Sequence, residues 1–252
     1  MTVYIRKVKF PVEVTINKYN AYVGAYLCGE EVVTYQSFHE IPYLTKEDVV
    51  IDYLNKTKAL LNSMAITPEE LDYPEELRYY LGRRIVPGIM SDVGPELFGK
   101  FIKSRVGAKV ISGRIIKDHQ DLIGLNAEPD YPIWISDPIT FLHEWRVFVL
   151  NGEVLDVRSY KGDYHYVYDA SRIDDMISAY HSSPKAYALD IGIAEDGETY
   201  LVEVNDGFSV GNYGLFRTQA LVFHATRWPK LTKDYFTSND KFFITDEMLM
   251  GL

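Results

Sequence analysis

The feature that most constrains the fold of this chain is a pair of alternating apolar and polar runs in YALDIGIAEDGETYLVEVN, residues 187–205. An Asp-Gly dipeptide, Asp196-Gly197, separates the two runs, and this combination is one of the strongest short-range signals of a β-hairpin. A two-residue turn at this position would pair Glu195 with Glu198 and so set the register of the two strands. We expect one face of the hairpin to pack into a core through four apolar side chains: Leu189, Ile191, Val202 and Val204.

The predicted register brings two carboxylates and an amide to the other face of the hairpin. Asp190 would lie directly opposite Glu203, and Asn205 would follow two residues along on the same face. Opposed carboxylates, with Cβ atoms about 5 Å apart, destabilise a sheet unless positive charge lies between them. Oxygen ligands suit Mg²⁺, which proteins hold through one or two carboxylates while phosphates and water fill its other positions. The sequence therefore predicts half of a magnesium-phosphate site, and the alternative is a solvent-facing hairpin with hydrated charges.

Length and composition predict a soluble globular protein with one large or two modest lobes, since 47% of the 252 residues are apolar. The single cysteine, Cys28, excludes a disulfide framework and a cysteine-rich zinc site. No window approaches the roughly 20 uninterrupted apolar residues of a membrane span. Residues 1–14 lack the apolar run of a signal peptide, so we expect a cytosolic protein.

The formal net charge of −10 argues against broad nucleic-acid binding, which requires an excess of Lys and Arg. A local anion site is compatible with this charge because basic residues concentrate in one part of the chain. A solvated face is the alternative for these residues. They are Arg83, Arg84, Lys100, Lys103, Arg105, Lys109, Arg114 and Lys117.

The hydrophobic pattern divides the chain near residue 90. The first part predicts an α/β lobe, with strand from Tyr22 to Tyr35 around a turn, a helix from Thr45 to Ser63 with a threonine cap, and a second helix after Pro74. The stretch VPGIMSDVGPE then resembles a linker because it contains Pro and Gly. Beyond it the pattern predicts strands at Lys100–Val106, Ala108–Ile116, Tyr131–Ser136, Glu144–Leu150 and Glu153–Tyr160, and helices at Ser171–His181 and Tyr213–Trp228.

A serine hydrolase is a rival interpretation of the region after the hairpin, because Gly207-Phe208-Ser209-Val210-Gly211 matches the GxSxG nucleophile elbow. The triad would need an acid and then a His after Ser209. No Asp or Glu lies between Ser209 and His224, which is the last His of the chain. Only 43 residues (252 minus 209) follow Ser209, which is few for the strands beyond such an elbow. We keep the hydrolase as a weaker alternative.

Three segments in this order resemble the ATP-grasp superfamily, in particular its compact bacterial and phage members. They are FIKSRVGAKVISGRII, FLHEWRVFVLNGEVLDVRSYKGD and YALDIGIAEDGETYLVEVNDG. The resemblance spans roughly residues 74–215. It implies an α+β fold in which two α/β lobes with antiparallel sheets clasp ATP. Residues 1–90 would form a short N-terminal α/β region and residues 91–252 the ATP-grasp domain, with a smaller subdomain at about 95–140 and a larger one at about 141–252.

The resemblance also implies which residues hold the nucleotide. Lys103 matches the strand lysine that reaches the phosphates, and Lys109 in the following loop would close over them. An ordinary edge-strand lysine is the alternative for Lys103. Ser136, Asp137 and Ile139 are candidates for the hinge that presents backbone groups to adenine.

Glu144-Trp145-Arg146 resembles the acid-x-Arg sequence of ligases that modify protein termini. There the acid approaches the ribose, and the Arg serves phosphate or substrate. Glu144 and Arg146 would share one face of a strand.

Arg158 and Lys161 are weaker candidates for catalytic cations. A two-residue turn at Asn151-Gly152 would put Arg158 on the face opposite Arg146, which conflicts with a shared role. A β-bulge would remove this conflict, or the loop after Tyr160 would bring in Lys161 instead. An exposed salt bridge is the alternative role for each.

Asp190, Glu203 and Asn205 match the metal triad of the family residue by residue, in agreement with the hairpin register. The resemblance implies an ATP-dependent carboxylate–amine ligase that uses ATP and Mg²⁺ and acts through an acyl phosphate on a small molecule, an amino acid, a peptide or a protein terminus. A nucleotide-binding module that has lost ligation is the alternative. Arg83 or Arg84 would lie at the rim of the cleft.

Overall fold

A computed structural model describes residues 1–7, 15–106, 110–125 and 127–245. These residues form thirteen β-strands in four sheets and four α-helices. The helices are α1 (Ile16–Leu27), α2 (Leu54–Ser63), α3 (Ala170–Ala179) and α4 (Arg217–Ser238). The strands are β1 (Thr2–Arg6), β2 (Glu31–Tyr35), β3 (Tyr43–Leu44), β4 (Val49–Ile51), β5 (Ile85–Ile89), β6 (Phe101–Ser104), β7 (Arg114–Ile115), β8 (Pro132–Ser136), β9 (Phe141–Leu150), β10 (Glu153–Gly162), β11 (Ala186–Ala194), β12 (Thr199–Asp206) and β13 (Phe242–Phe243). Short 3₁₀ helices lie at Phe38–Glu40, Glu75–Leu81, Met90–Asp92, Pro95–Leu97 and His119–Leu122.

The N-terminal part of the chain builds a parallel sheet in the order β2-β1-β4. Val3 and Ile5 of β1 are buried in its core. Helix α4, from the far end of the chain, completes this core through Leu221 and Trp228. This helix begins and ends later than the predicted one. No helix in the described ranges combines the length and the apolar character that a membrane crossing requires.

The prediction of strand from Tyr22 to Tyr35 is wrong in its first half, because α1 extends into this range. Small residues on one face of α1 are the cause: Ala21, Gly24 and Ala25 are buried against α4. A Cβ atom on Gly24 would overlap the backbone carbonyl of Arg217, so the two helices approach to backbone contact. Over a short window, apolar residues at helical and at strand spacing are hard to distinguish.

The helix predicted from Thr45 to Ser63 is confirmed only in its second half, as α2. Its first half contains β4, a run of three β-branched residues that are buried and pair in parallel with β1. Thr45 caps no helix. Its backbone N–H and its hydroxyl donate hydrogen bonds of 2.7 and 2.9 Å to Asp48, which close a turn before β4.

Two antiparallel sheets of four strands each build most of the remaining described chain. The smaller sheet has the order β5-β8-β6-β7, and the larger has the order β10-β9-β11-β12. Residues 137–140 connect β8 to β9 and so join the two sheets. The predicted α+β class with antiparallel sheets is confirmed. The division of the chain at residue 90 stays a prediction.

The two faces of the larger sheet pack differently. One face buries the predicted apolar residues under α3, except for Val202, which is only partly buried. On the other face Ala186 and Ala188 pack against Phe223 of α4. Asp190 follows on this second face and is itself buried. The expectation that the Asp190 face packs into no core is therefore wrong, because α4 covers one end of that face.

The β11-β12 hairpin has Asp190 opposite Glu203, as predicted, although its turn differs from the prediction. The backbone N–H of Ala194 donates to the carbonyl of Glu198 at 3.0 Å, so three residues form the turn. The extra turn residue shifts the register by one. A β-bulge at Val202 shifts it back before the two carboxylates are reached.

Two β-bulges in the β9-β10 hairpin overturn the predicted opposition of the two arginines. The pairing starts in the predicted register and then shifts by one residue at Leu155 and again at Tyr160. The first shift places Arg158 directly opposite Arg146, on the same face of the sheet. Lys161 lies on β10 rather than in a loop.

We predict that Gly24→Ala lowers the free energy of unfolding by about 1–3 kcal/mol, although alanine is the better helix former. The new methyl group would overlap the carbonyl of Arg217 and push α1 away from α4. Urea denaturation of the purified protein measures the change. Tyr22→Ala, at an exposed position of the same helix, is the control and should change the stability by less than about 0.5 kcal/mol. Equal stability of Gly24→Ala and wild type would contradict the close contact.

Candidate active site

A cavity of about 220 Å³ lies where β6 of the smaller sheet faces β12 of the larger sheet. Lys103 lines it from β6, and Glu203 and Asn205 line it from β12. Residues 69–72 and the chain after β12 close its other sides. Three of the predicted site residues therefore meet at one cavity between two sheets.

Asp190 lies on β11 directly opposite Arg146 of β9, and only 3% of Asp190 is exposed. The guanidinium of Arg146 donates to both carboxylate oxygens, from Nε at 2.7 Å and from Nη2 at 2.6 Å. Burial raises the pKa of Asp190 to about 6, against the lowering effect of Arg146. The charged form of this carboxylate thus depends on the arginine, because an unpaired charge at this depth would be costly.

Glu203 is paired with Lys103 across the gap between the sheets. The ammonium of Lys103 lies 2.7 Å from Glu203 Oε2 and 3.0 Å from Asp72 Oδ1. Burial alone would lower the pKa of Lys103, but the negative charge of Glu203 and its other neighbours raises it above its ordinary value. The lysine is consequently a permanent cation at the mouth of the cavity.

Asp72 is a site residue that the sequence analysis missed. Its backbone carbonyl accepts a hydrogen bond of 2.8 Å from the N–H of Val204, so this segment runs beside the edge of β12. Its carboxylate accepts from Lys103 and, at 2.9 Å, from the indole N–H of Trp134. Burial raises the pKa of Asp72. No local pattern marks this residue, because all three partners are distant in the sequence.

The three predicted metal residues converge. The amide nitrogen of Asn205 lies 3.2 Å from Asp190 Oδ2 and 3.3 Å from Glu203 Oε1. A flip of the amide directs its oxygen towards the same carboxylates, and the two orientations are an assignment rather than a difference in fold. Two carboxylates and an amide oxygen suit Mg²⁺ with phosphates in its other positions. Within the described ranges, no group of three or more His, Cys, Asp or Glu side chains is placed to hold a metal ion.

Glu144 and Arg146 share one face of β9, as predicted, and both are buried. The carboxylate of Glu144 accepts a hydrogen bond of 2.7 Å from the hydroxyl of Tyr160 and forms an ion pair with Lys161. Lys161 is thereby placed beside Glu144 rather than at Asp190. Its predicted catalytic role stays a prediction.

Arg158 lies on the same face as Arg146 but is engaged locally. Its guanidinium Nε donates to Asp156 Oδ2 at 2.9 Å, and 37% of its side chain is exposed. This contact corresponds to the salt-bridging alternative.

The predicted hinge residues lie between the two sheets. The hydroxyl of Ser136, at the end of β8, donates to the backbone carbonyl of Asp137 at 2.6 Å. The carboxylate of Asp137 pairs with Lys100 at 2.6 Å, and Ile139 follows, partly buried, in the connection to β9. Their position between β8 and β9 is the one predicted, and their contact with adenine stays a prediction.

Of the two arginines expected at the rim, only Arg84 is exposed. Arg83 instead reaches the edge of β12, where its guanidinium donates to the carbonyls of Leu201 and Val202 at 3.0 and 2.9 Å. The bulge at Val202 presents these carbonyls, so Arg83 covers a strand edge. Lys109 lies outside the described residues.

Tyr213 is a second residue that the sequence analysis missed. Its ring stacks on Tyr160 with a centroid distance of 4.8 Å, and the guanidinium of Arg146 lies 4.8 Å from its centroid. Its φ of 43° is in the left-handed region, which a non-glycine residue rarely adopts. The two rings cover Arg146 from the side that faces away from Asp190.

The serine-hydrolase alternative is not supported by the contacts of Ser209. Its hydroxyl donates to the backbone carbonyl of Asp52 at 3.2 Å. The imidazole Nδ1 of His224 is bonded to the carbonyl of Gly207 at 2.8 Å, and no Ser–His hydrogen bond is formed between these described residues. The nucleophile and base of a triad are therefore not assembled.

Residues 80–222 match a family model described as an ATP-grasp domain, family 2 of its clade. The match covers more than half of the chain. The chain belongs to this ATP-grasp family. It is thus part of a superfamily of ATP-dependent ligases, and ATP-grasp enzymes bind ATP. A search of curated protein sequences found no significant match.

Solved structures share the ATP-grasp fold at low sequence identity. D-alanine–D-alanine ligase from Bacillus anthracis is similar with a TM-score of 0.54 and 15% identity, over 92% of this chain and 98% of that chain. N5-carboxyaminoimidazole synthetase from Staphylococcus aureus gives 0.60 and 11%, over 89% and 77%. Macrocyclase MdnC from Microcystis aeruginosa MRC, bound to its precursor peptide MdnA, gives 0.51 and 11%, over 88% and 99%. At these identities the likeness establishes the fold of the ATP-grasp chain and leaves its substrate open.

We predict that Arg146→Met destabilises this ATP-grasp protein by about 3–5 kcal/mol, because it leaves Asp190 buried without its counter-charge. Adding Asp190→Asn should recover a large part of the loss, since the unpaired charge is then gone. Chemical denaturation without nucleotide measures both variants. Arg158→Met, at the facing and more exposed position, is the matched control and should cost less than about 1 kcal/mol. A double variant no more stable than Arg146→Met would argue against a dominant ion pair.

Proposed function

We propose that this ATP-grasp protein is an ATP-dependent carboxylate–amine ligase that acts through an acyl phosphate. A substrate carboxylate would attack the γ-phosphoryl group of ATP and release ADP. An amine would then displace phosphate and form the C–N bond. The observation that carries the proposal is the convergence of Asp190, Glu203 and Asn205 with Lys103 and Arg146 beside a cavity between two sheets.

Asp190, Glu203 and Asn205 are the proposed ligands of Mg²⁺. Their donor set fits this ion, as the contacts of the Asn205 amide with both carboxylates indicate. When bound, the ion would neutralise charge on phosphate oxygens. Binding would also offset the repulsion between two carboxylates on one face of the sheet.

Lys103 and Arg146 are proposed to stabilise the negative charge of the phosphoryl group as it moves. Phosphoryl transfer needs little covalent chemistry from the protein, so positioned cations carry much of the catalysis. Neither residue suits a role as a base, because acidic neighbours raise the pKa of each. Electrostatic stabilisation is therefore the role that their surroundings favour.

The remaining assignments follow the family resemblance and the positions of the residues. Glu144 is proposed to approach the ribose, and residues 136–139 to present backbone groups to adenine from the connection between the sheets. Arg158, Lys161 and Lys109 are proposed as accessory cations. The division into an N-terminal region and an ATP-grasp domain at residue 90 is part of the same proposal.

The proposed acceptor is a small molecule or a peptide. One structure with the same fold, macrocyclase MdnC, holds a precursor peptide, which supports a peptide or amino-acid acceptor. The net charge of −10 favours such an acceptor over nucleic acid.

We predict that Glu203→Gln lowers ADP formation by about 100-fold or more while the protein stays folded, because the amide removes a metal ligand and the partner of Lys103. The measurement is ADP release with Mg²⁺ and a panel of amino acids and peptides. Circular dichroism and the unfolding midpoint show whether the variant is folded.

Glu198→Gln is the matched control for this variant. Glu198 lies on the same hairpin but is exposed at the turn, away from the cavity. Its substitution should leave ADP release unchanged. Full turnover by folded Glu203→Gln would refute the assignment, and no ADP release from wild type with any acceptor would favour a nucleotide-binding module that has lost ligation.

A further inference from the structure

A second cavity, of about 140 Å³, lies beside the first. The two cavities share Leu54, Phe208 and Ser209 as lining residues. The remaining walls come from the N-terminus of α1, the connection between β4 and α2, and α4. A molecule in the second cavity would therefore be separated from the candidate metal-phosphate site by a few side chains.

The N-terminus of α1 forms one wall of this second cavity. Thr15 is the N-cap residue, and its side chain makes no hydrogen bond to the first turn. The first N–H groups of a helix have no intrahelical partners and carry partial positive charge. In a helix of 12 residues this end favours an anion.

Buried charges next to this wall favour an anion as well. Lys18 is 4% exposed, and its ammonium lies 3.8 Å from Asp52 Oδ1. The carboxylate of Asp52 already accepts hydrogen bonds from Arg6, at 2.7 and 2.6 Å, and from the hydroxyl of Tyr35, at 2.8 Å. Two cations thus accompany one carboxylate, and a ligand with a negative charge would balance the cluster.

His224 of α4 is an independent sign of a ligand with a hydrogen-bond donor. It is 3% exposed and lines the cavity. Its Nδ1 lies 2.8 Å from the carbonyl of Gly207, which can only accept, so Nδ1 carries the proton. Burial lowers the pKa of His224 and keeps the ring neutral. The buried Nε2 is then an acceptor, and it has no partner among the described residues.

The size of the cavity limits what it can hold. A cavity of about 150 Å³ accommodates a molecule of roughly six non-hydrogen atoms. The second cavity has a similar volume. A ligand with an anionic group and a donor group in so few atoms has the chemistry of a small α-amino acid.

We propose that the second cavity binds a small α-amino acid, with its carboxylate at Lys18 and the N-terminus of α1 and its amino group at Nε2 of His224. This inference rests on the proposed function, in which the bound amino acid supplies the amine. Its carboxylate is held by positive charge, so the amino group is the one left to react.

The first experiment measures binding without ATP or Mg²⁺, by calorimetry on the full chain. Glycine, L-alanine and L-serine should bind saturably, whereas L-phenylalanine and L-tryptophan should not. Propionate and ethylamine each lack one of the two recognised groups and should bind at least about 10-fold more weakly than alanine.

Two variants locate the binding site. His224→Asn keeps a donor for the carbonyl of Gly207 but removes the acceptor at Nε2, and Lys18→Met removes the buried cation. Each should weaken alanine binding by about 10-fold or more. Lys58→Met is the matched control, because Lys58 pairs with Glu70 outside the second cavity and its loss should leave alanine binding unchanged.

A measurement on the wild-type protein covers the case in which a variant fails to fold. The ¹⁵N resonance of Nε2 of His224 should shift as alanine is added. No saturable binding of any small amino acid at about 10 mM, or equal binding by His224→Asn and wild type, would overturn the inference.

The two proposals fail in different ways. Amino-acid binding at His224 without ADP formation would uphold the cavity and count against the ligase. ADP formation with peptides alone, and no resonance shift with amino acids, would uphold the ligase and overturn the amino-acid site.

Discussion

Two buried carboxylates on one face of a sheet are the constraint on which the candidate site depends. Asp190 and Glu203 face each other across β11 and β12, and each is balanced by a cation from a different strand. Arg146 belongs to the same sheet, whereas Lys103 comes from the smaller sheet. The second ion pair therefore joins the two sheets as well as balancing charge. An arrangement that stabilises the fold and one that surrounds phosphates with charge are here the same set of contacts.

Register is the link between the sequence and this arrangement. The pairing of Asp190 with Glu203 was predictable because a Gly-containing turn and strict alternation limit the register. The prediction nevertheless assumed a two-residue turn and no bulge, and both assumptions are wrong in ways that cancel. The same assumption in the β9-β10 hairpin led to the wrong face for Arg158, since two bulges there are not matched by a longer turn. Bulges depend on packing across the sheet, which a local pattern does not contain.

Contacts between distant segments account for most of what the sequence left out. The metal triad, Lys103 and Arg146 were predicted, because each lies on a strand with a clear pattern. Asp72 joins Lys103 only because its segment runs beside the edge of β12. Helix α1 was mistaken for a strand because its small residues are explained by α4, which lies almost 200 residues later. Such residues carry no local signal of their role.

The loop after β12 explains the GxSxG motif without a nucleophile. A Cβ atom on Gly207 would lie 2.5 Å from the carbonyl oxygen of Ala186, so a glycine is needed where the loop leaves the sheet. At the other end of the motif, the carbonyl of Gly211 accepts a hydrogen bond of 2.9 Å from Arg146. Ser209 between them lines both cavities. One short loop thus follows the metal residue Asn205, contacts the arginine that balances Asp190, and separates the two cavities. A change in this loop would therefore reach the proposed phosphate site and the proposed amino-acid site together.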